Sequence, residues 1–227
     1  MSTKIPKKIH YCWFGPNPLP VAIVNCIKTW KKHNPDYDII RWDESNSPMD
    51  HPFVLSAYES KKFAFVSDYV RLWVVYNFGG IYLDTDMYVT KSFNPLLINN
   101  CFFGYENKDN TLINAAILGA KREENFIKVL MNYYDDKIFS ASQLSSFVIP
   151  KIITRLYNEN KFEDIKLYNY DFFYPFPYEN RNDKKFLDYK TLNTYAIHLW
   201  NMSWFSKKDS FLLKIKKYIK KIKSFIS

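Results

Sequence analysis

The sequence lacks the features that mark secreted, disulfide-bonded and membrane-spanning proteins. The chain has 227 residues but only three cysteines, Cys12, Cys26 and Cys101. An odd number of cysteines without C-x-x-C spacing argues against a disulfide framework and a cysteine-based zinc site. No stretch reaches the length of about 18 uncharged apolar residues that suggests a transmembrane helix, and the N-terminus lacks a signal-peptide pattern. We therefore expect a protein of the reducing cytosol that is neither secreted nor membrane-spanning.

Internal repeats and low-complexity linkers are also absent. The length suits one α/β domain with a substantial core and does not require a second domain. Hydrophobic residues make up 47% and charged residues 24% of the chain, as in an ordinary globular protein. The aromatic content of 19% fits a Tyr- and Phe-rich core as well as a stacking surface. The expected organisation is one domain over residues 1–205, followed by a separate tail.

The positive charge of the chain is concentrated in that tail. Residues 206–227 hold eight lysines and one aspartate, a net charge of +7 out of +9 for the whole chain. The spacing of the apolar residues predicts an amphipathic helix with a basic face. Such a helix either lies on an anionic membrane or packs on its own domain with the lysines in water. The apolar positions are Phe211, Ile215, Ile219, Ile222 and Ile226.

The order of the first predicted elements is strand, helix, strand, helix, strand. This order predicts a mostly parallel sheet flanked by helices, with ligands beyond the carboxyl ends of its strands. Two more strands and two more helices are expected after residue 100, followed by a proline- and aromatic-rich loop. The predicted strands cover 7–15, 37–45, 81–86, 101–106 and 115–121; the predicted helices cover 21–32, 56–80, 125–134 and 145–158; the loop covers 170–180.

Two aspartates follow the third predicted strand in the segment GGIYLDTDMYV, residues 79–89. Because side chains alternate along an extended backbone, Asp84 and Asp86 are expected on the same side. Two neighbouring carboxylates repel each other unless a cation or a proton relieves them. The pair therefore predicts a metal site.

The long predicted helix carries two charges on an otherwise apolar stretch. Between Phe63 and Phe78 only Asp68 and Arg71 are charged, and their spacing of three makes them neighbours on one helix face. Buried charges need partners. They either pair with each other or face the cleft that holds Asp84 and Asp86.

Three segments together resemble glycosyltransferase family 32, a family of nucleotide-sugar transferases. They are IPKKIHYCWFG at 5–15, SDYVRLWVVYNFGGIYLDTD at 67–86 and AIHLWNMSW at 196–204. The resemblance implies a GT-A fold, a divalent cation, Mn²⁺ or Mg²⁺, and sugar transfer with retention at the anomeric carbon. The chain departs from the family pattern near residues 145–154, where a Gly-Pro turn is replaced by SSFVIPKIIT.

The resemblance also assigns metal-site residues. Asp86 is expected to bind the metal directly, and Asp84 to reach it through water or to hold donor hydroxyls. His198 is expected to complete the metal site. Ser203 and Trp204 are expected to close over the diphosphate.

Further residues are assigned to the donor and the acceptor in the same way. Asp68 is expected to accept hydrogen bonds from the donor sugar, and Arg71 to bind sugar or phosphate oxygens with its guanidinium fork. Trp13 is expected either to stack on the nucleobase or to sit in the core. Asn114 and Glu106 follow predicted strands and are expected near the anomeric centre or the acceptor.

The expected function is metal-dependent transfer of a sugar from a nucleotide sugar to a glycan, with a UDP-sugar favoured over a GDP-sugar. The basic tail favours a lipid-linked or otherwise membrane-proximal acceptor at the inner face of the cell membrane. The family resemblance favours a role in bacterial surface-polysaccharide synthesis. No nucleic-acid partner is expected. Two alternatives stay open, a haloacid dehalogenase-like phosphohydrolase, which also has D-x-D after a strand, and a non-catalytic protein that binds membrane or nucleic acid through its tail.

Overall fold

The computed structural model describes residues 4–160, 162 and 164–200. The predicted helix over 206–227 lies outside the described residues, as do Ser203 and Trp204. No helix of the described part is long and apolar enough to cross a membrane.

Eight strands and six α-helices make up the described fold. The strands are β1 (Lys8–Cys12), β2 (Asp38–Trp42), β3 (Gly80–Leu83), β4 (Met87–Val89), β5 (Cys101–Tyr105), β6 (Ile113–Ala120), β7 (Ile165–Tyr168) and β8 (Ala196–His198). The helices are α1 (Val21–His33), α2 (Pro52–Glu59), α3 (Phe63–Phe78), α4 (Asn125–Asn132), α5 (Ile149–Asn160) and α6 (Tyr170–Phe173). The order of elements therefore begins as the sequence predicts, while β4, β7 and β8 were not predicted.

Six strands form a mixed sheet with helices on both faces. Their order is β2-β1-β3-β6-β5-β7. Only β6 runs against its neighbours; the pairs β1–β2, β1–β3 and β5–β7 are parallel. The prediction of an α/β fold with a mostly parallel sheet flanked by helices is confirmed.

Side-chain alternation along the central strands divides the core into two clusters. Ile81 and Leu83 of β3 belong to one cluster with Trp30 of α1, whereas Tyr82 belongs to the other with Val70 of α3. Even-numbered positions at the end of β3 therefore face α3. This parity directs the tyrosine, and the aspartate two residues later, towards the charged residues of α3.

The single long helix predicted over residues 56–80 is wrong, because the structure has two helices there. Helix α2 ends at Glu59. Two residues later, Lys61 has a φ of 55°, in the left-handed region. The amide of Lys61 donates to Tyr58 O at 2.8 Å, and the amide of Lys62 donates to Ala57 O at 2.9 Å. This pair of bonds is a Schellman motif, in which a lysine occupies the position usually held by glycine. Helix α3 then starts afresh at Phe63.

The third predicted strand also ends earlier than expected. Strand β3 stops at Leu83, and the Met87 amide donates to Asp84 O at 3.0 Å, closing a turn. The two aspartates therefore lie in a turn at the carboxyl end of β3 and not on an extended strand. Their shared direction comes from this turn.

A small second sheet brings the C-terminal part of the described chain to this turn. Strand β4 follows the aspartates and pairs antiparallel with β8, with Met87 opposite His198. The Leu199 amide donates to Asp86 O at 3.1 Å. The register of β4 and β8 therefore places His198 beside Asp86.

His10 is a structural residue that joins β1 to the end of α3. Its side chain is fully buried, Nδ1 accepts a hydrogen bond from Trp42 Nε1 at 3.1 Å, and Nε2 donates to Gly79 O at 2.8 Å. Because Nδ1 accepts and Nε2 donates, the imidazole is neutral. Burial lowers the pKa of His10 to about 4 from its ordinary value of 6.5.

Stability should therefore fall as the pH drops from about 6.5 towards 4. In that window the unfolded chain binds a proton at residue 10 that the folded chain does not, which costs up to about 3 kcal/mol of unfolding free energy. His10→Gln should show a shallower dependence, because other titrating groups are shared with the wild type. Urea unfolding at several pH values measures both slopes. Parallel slopes would contradict the assignment of a buried neutral imidazole.

Candidate active site

The carboxyl ends of β1 and β3 open into a cleft of about 630 Å³. Helix α3 forms one side, and the segments around β6, the start of α5 and the end of β8 form the others. Every described site residue expected from the sequence lines this cleft: Trp13, Asp68, Arg71, Asp84, Asp86, Glu106, Asn114 and His198. The segment 201–227, with Ser203 and Trp204, lies outside the described residues.

Arg71 is the centre of a buried ion-pair network. Its Nη2 lies 2.9 Å from Asp68 Oδ1 and 3.3 Å from Asp84 Oδ1. Its Nη1 donates to Ala115 O of β6 at 2.8 Å. One guanidinium thus links α3, the turn after β3 and the middle of the sheet. The sequence left two positions open for Asp68 and Arg71, a pair with each other or a place in the cleft. The structure has both, since the two residues pair with each other and also face the cleft.

Tyr82 is a second partner of Asp84. Its hydroxyl donates to Asp84 Oδ1 at 2.9 Å, and its ring lies 4.8 Å from the Arg71 guanidinium carbon. The side chain is almost fully buried. Tyr82 was not predicted as a site residue. Its spacing of two from Asp84 in the segment GGIYLDTD indicates that both side chains lie on the same side of the strand.

Burial and neighbouring charges shift the pKa of both charged residues of α3. Burial raises the pKa of Asp68 to about 7, against the lowering effect of Arg71. Burial acts to lower the pKa of Arg71, but Asp84, Tyr82 and Asp68 together raise it above its ordinary value. Perturbed carboxyl groups in a cleft are typical of functional sites. The network therefore has the character of a binding site as well as of a structural ion pair.

Asp84, Asp86 and His198 form a group suited to a metal ion. One ligand atom from each lies within 4.8 Å of the others. His198 Nε2 is 3.2 Å from Asp86 Oδ1, and the buried Nδ1 of His198 has no hydrogen-bond partner among the described residues. Burial acts to lower the pKa of His198, yet the charge and hydrogen bond of Asp86 raise it overall. Two carboxylates and a neutral imidazole are ligands that fit a divalent cation.

Glu106 and Asn114 form a pair on another side of the cleft. They lie at the end of β5 and in β6, and Asn114 Nδ2 donates to Glu106 Oε2 at 2.7 Å. Asn114 Oδ1 accepts a hydrogen bond from the Ala116 amide at 2.7 Å. The expectation that both residues face the same cleft as the aspartates agrees with their positions.

Trp13 stands at the end of the cleft formed by the loop after β1. Its Nε1 donates to Asn17 O at 2.7 Å, and the side chain is half-buried and lines the cleft. Of the two interpretations of this residue, the cleft position agrees with the nucleobase-stacking one. Stacking itself stays a prediction.

Solved structures with a similar fold are glycosyltransferases. The PaToxG glycosyltransferase superposes with a TM-score of 0.55 at 20% identity, covering 70% of each chain. A glycosyltransferase involved in glycosylation of the major capsid of PBCV-1 superposes with a TM-score of 0.52 at 11% identity, covering 88% of this chain and 95% of that one. The fold is thus of the GT-A type, which confirms the fold class expected from the sequence.

Sequence similarity points to the same class. Residues 20–103 match the family described as "Glycosyltransferase sugar-binding region containing DXD motif". The chain is 37% identical over 101 residues to inositol phosphoceramide mannosyltransferase 3 of Schizosaccharomyces pombe, covering 42% of this chain and 28% of that protein. It is 31% identical over 151 residues to lactosylceramide 4-alpha-galactosyltransferase of Mus musculus, covering 60% and 40%. The chain therefore spans less than half the length of these two relatives. Fold and sequence similarity both relate the chain to glycosyltransferases.

Removing the Arg71 charge should destabilise the fold. Arg71→Met leaves Asp68 and Asp84 without their cation, which should cost about 3–5 kcal/mol of unfolding free energy, the usual effect of breaking a buried ion pair. Arg155→Met is the matched control, because Arg155 lies 3.8 Å from Glu159 in an exposed pair, and exposed pairs contribute about 0–1 kcal/mol. Denaturant unfolding compares the two variants. Equal effects would show that the Arg71 network contributes nothing to stability.

Proposed function

We propose that this protein is a metal-dependent, retaining glycosyltransferase that moves a hexose from a nucleotide sugar to a glycan acceptor. The observation that carries the proposal is one cleft holding two adjoining groups. Asp84, Asp86 and His198 form the cation-binding group, and Asp68 and Arg71 form a polar group on the adjacent helix. Sugar transfer from such a donor requires both a partner for the diphosphate charge and partners for the sugar hydroxyls.

The cation group is complementary to a nucleotide diphosphate. When bound, a divalent cation supplies Lewis-acid stabilisation of the charge that develops on the leaving diphosphate. Asp86 is the main protein ligand, because both oxygens of Asp84 are already contacted by Arg71, at 3.3 and 3.5 Å. Asp84 therefore acts through water or on donor hydroxyls. The mixed oxygen and nitrogen ligands suit Mn²⁺ better than Mg²⁺, which prefers oxygen.

The polar group on α3 is suited to the donor sugar. The carboxyl of Asp68 accepts hydrogen bonds from sugar hydroxyls, while the Arg71 fork offers donors to sugar or phosphate oxygens. Trp13 offers a ring for the nucleobase at the other end of the cleft. We favour a UDP-sugar over a GDP-sugar, as the family resemblance implies.

An apolar wall supports an acceptor that carries a lipid. Phe63, Phe65, Val148 and Pro150 line the cleft beside α3. With the nucleobase assigned to Trp13, a nucleotide sugar has no second large ring or apolar group for this wall. Val148 is 37% exposed, so this wall is in part open to solvent. The two relatives described above are named for ceramide-containing acceptors, which agrees with a lipid-linked acceptor.

The cellular setting is proposed from the sequence. The basic segment 206–227 places the protein at the inner, anionic face of the cell membrane, close to a lipid-linked acceptor. Assembly of a bacterial surface polysaccharide is the pathway that the family resemblance favours. Nucleic acid has no part in this function.

Of the alternatives, the dehalogenase-type phosphohydrolase is the weaker. That mechanism needs the first aspartate of D-x-D as a nucleophile. Here Asp84 is held by Tyr82 and Arg71, and the fold is of the GT-A type. The non-catalytic alternative predicts that a substitution of Asp86 leaves the activity of the protein intact, because binding through the tail does not require that carboxylate.

Asp86→Asn should abolish donor turnover. With a panel of UDP- and GDP-sugars and Mn²⁺, the wild type should release nucleotide from at least one donor, and a chelator should stop the release. The variant should be slower by about 100-fold or more, since a bound cation contributes several kcal/mol to transition-state stabilisation. Asp36→Asn is the matched control, because Asp36 pairs with Lys7 on the exposed surface. Wild-type turnover in Asp86→Asn would refute a catalytic metal at this site.

Deleting residues 206–227 should release the protein from anionic liposomes. The segment carries a net charge of +7, and each lysine near an anionic surface contributes about 1 kcal/mol. Co-sedimentation with phosphatidylserine vesicles at low and high salt measures the binding, and nucleotide release from the donor tests whether the catalytic domain is intact. Vesicle binding that survives the deletion would contradict membrane anchoring by this segment.

A further inference from the structure

Glu106 is a carboxylate of the cleft that belongs to neither the cation group nor the Arg71 network. It follows β5 directly, is half-buried, and lines the cleft together with His198. The negative charge of Glu106 contributes to the raised pKa of His198. The carboxylate is therefore close enough to the candidate metal site to interact with it electrostatically.

The orientation of Glu106 is fixed by the backbone of β6. Asn114 Oδ1 accepts a hydrogen bond from the Ala116 amide at 2.7 Å, which turns the Asn114 Nδ2 group towards Glu106 Oε2, also at 2.7 Å. The Glu106 amide donates to Leu112 O at 2.8 Å, which closes the β5–β6 hairpin. One oxygen of the carboxylate is thus held, and the other has no hydrogen-bond partner in the described part of the chain.

The other carboxylates of the cleft are paired or exposed. Asp68 and Asp84 pair with Arg71, and Asp86 contacts His198. Glu179 is exposed on a short turn. Among the described residues, Glu106 is therefore the lining carboxylate that is both oriented by the protein and without a cationic partner.

We propose that Glu106 is a catalytic residue that binds the acceptor hydroxyl and takes its proton. The hydroxyl oxygen forms a bond to the anomeric carbon on the same face that the β-phosphate oxygen leaves, so that the configuration is retained. Its proton passes to the Glu106 carboxylate as the bond from that carbon to the β-phosphate oxygen breaks. The electron pair leaves with the nucleoside diphosphate, and Glu106 later returns the proton to solvent. This inference rests on the proposed function and assigns the acceptor side of the same cleft.

Glu106→Gln removes the charge of this side chain and keeps its position. The glutamine oxygen still accepts from Asn114 Nδ2, but the amide cannot take a proton at neutral pH. Transfer from UDP-glucose or UDP-galactose to n-octyl glycosides should fall by about 10²–10⁴-fold, the usual contribution of general base catalysis. The affinity for UDP with Mn²⁺, measured by calorimetry, should stay within about twofold of the wild type because Glu106 does not contact the donor. Glu159→Gln, in the exposed pair on α5, is the control and should transfer as the wild type does.

Azide distinguishes a base from a nucleophile. Azide is an anion and needs no deprotonation, so it should restore transfer in Glu106→Ala and give a glycosyl azide with the anomeric configuration of the wild-type product. An azide product of the opposite configuration would overturn the proposal, because it is the mark of a missing nucleophile.

The outcomes also distinguish a failure of the Glu106 assignment from a failure of the proposed function. Wild-type transfer rates in Glu106→Gln, or an equal loss of UDP affinity and transfer, would overturn the role of Glu106 alone. A wild-type protein that turns over no nucleotide sugar would overturn the proposed function and this inference with it.

Discussion

The geometry of the cleft depends on one buried guanidinium. Arg71 makes bonds to Asp68 on its own helix, to Asp84 in the turn after β3, and to Ala115 O in β6. Taking a charge out of water is costly unless it is paired and hydrogen-bonded. The helix can therefore pack against the sheet only in a register that satisfies all three partners. The same register sets the distance between the Asp68–Arg71 pair and the group formed by Asp84, Asp86 and His198.

The cation group depends on a second constraint that acts over a long stretch of chain. His198 comes from the far end of the described residues. The pairing of β4 with β8 and the bond from the Leu199 amide to Asp86 O bring it to Asp86. The two-stranded sheet is short, but Trp30 Nε1 of α1 donates to Met87 O at 2.6 Å and anchors it to the rest of the domain. The site is thus assembled by hydrogen bonds outside the main sheet.

The sequence could predict what is local and periodic. The pairing of Asp68 with Arg71 follows from helical spacing. The position of Asp84 at the edge of the sheet where ligands bind follows from the order of strands and helices. The break before α3 was missed because Lys61 adopts a left-handed conformation that sequence patterns assign to glycine. The bond between Glu106 and Asn114 depends on the β5–β6 pairing, which includes a register shift after Phe103. Such tertiary details leave no periodic signal in the sequence.

The charge of the cleft gives the strongest physical reason for a cation. Five carboxylates and Arg71 line it, and no lysine is found among its described lining residues. The chain as a whole is basic, with a net charge of +9, but most of that charge is in the segment 206–227. A diphosphate entering this cleft would meet a surplus of negative charge, and the repulsion would be strong where water is excluded. A divalent cation bound at Asp86 would reverse the sign of that interaction.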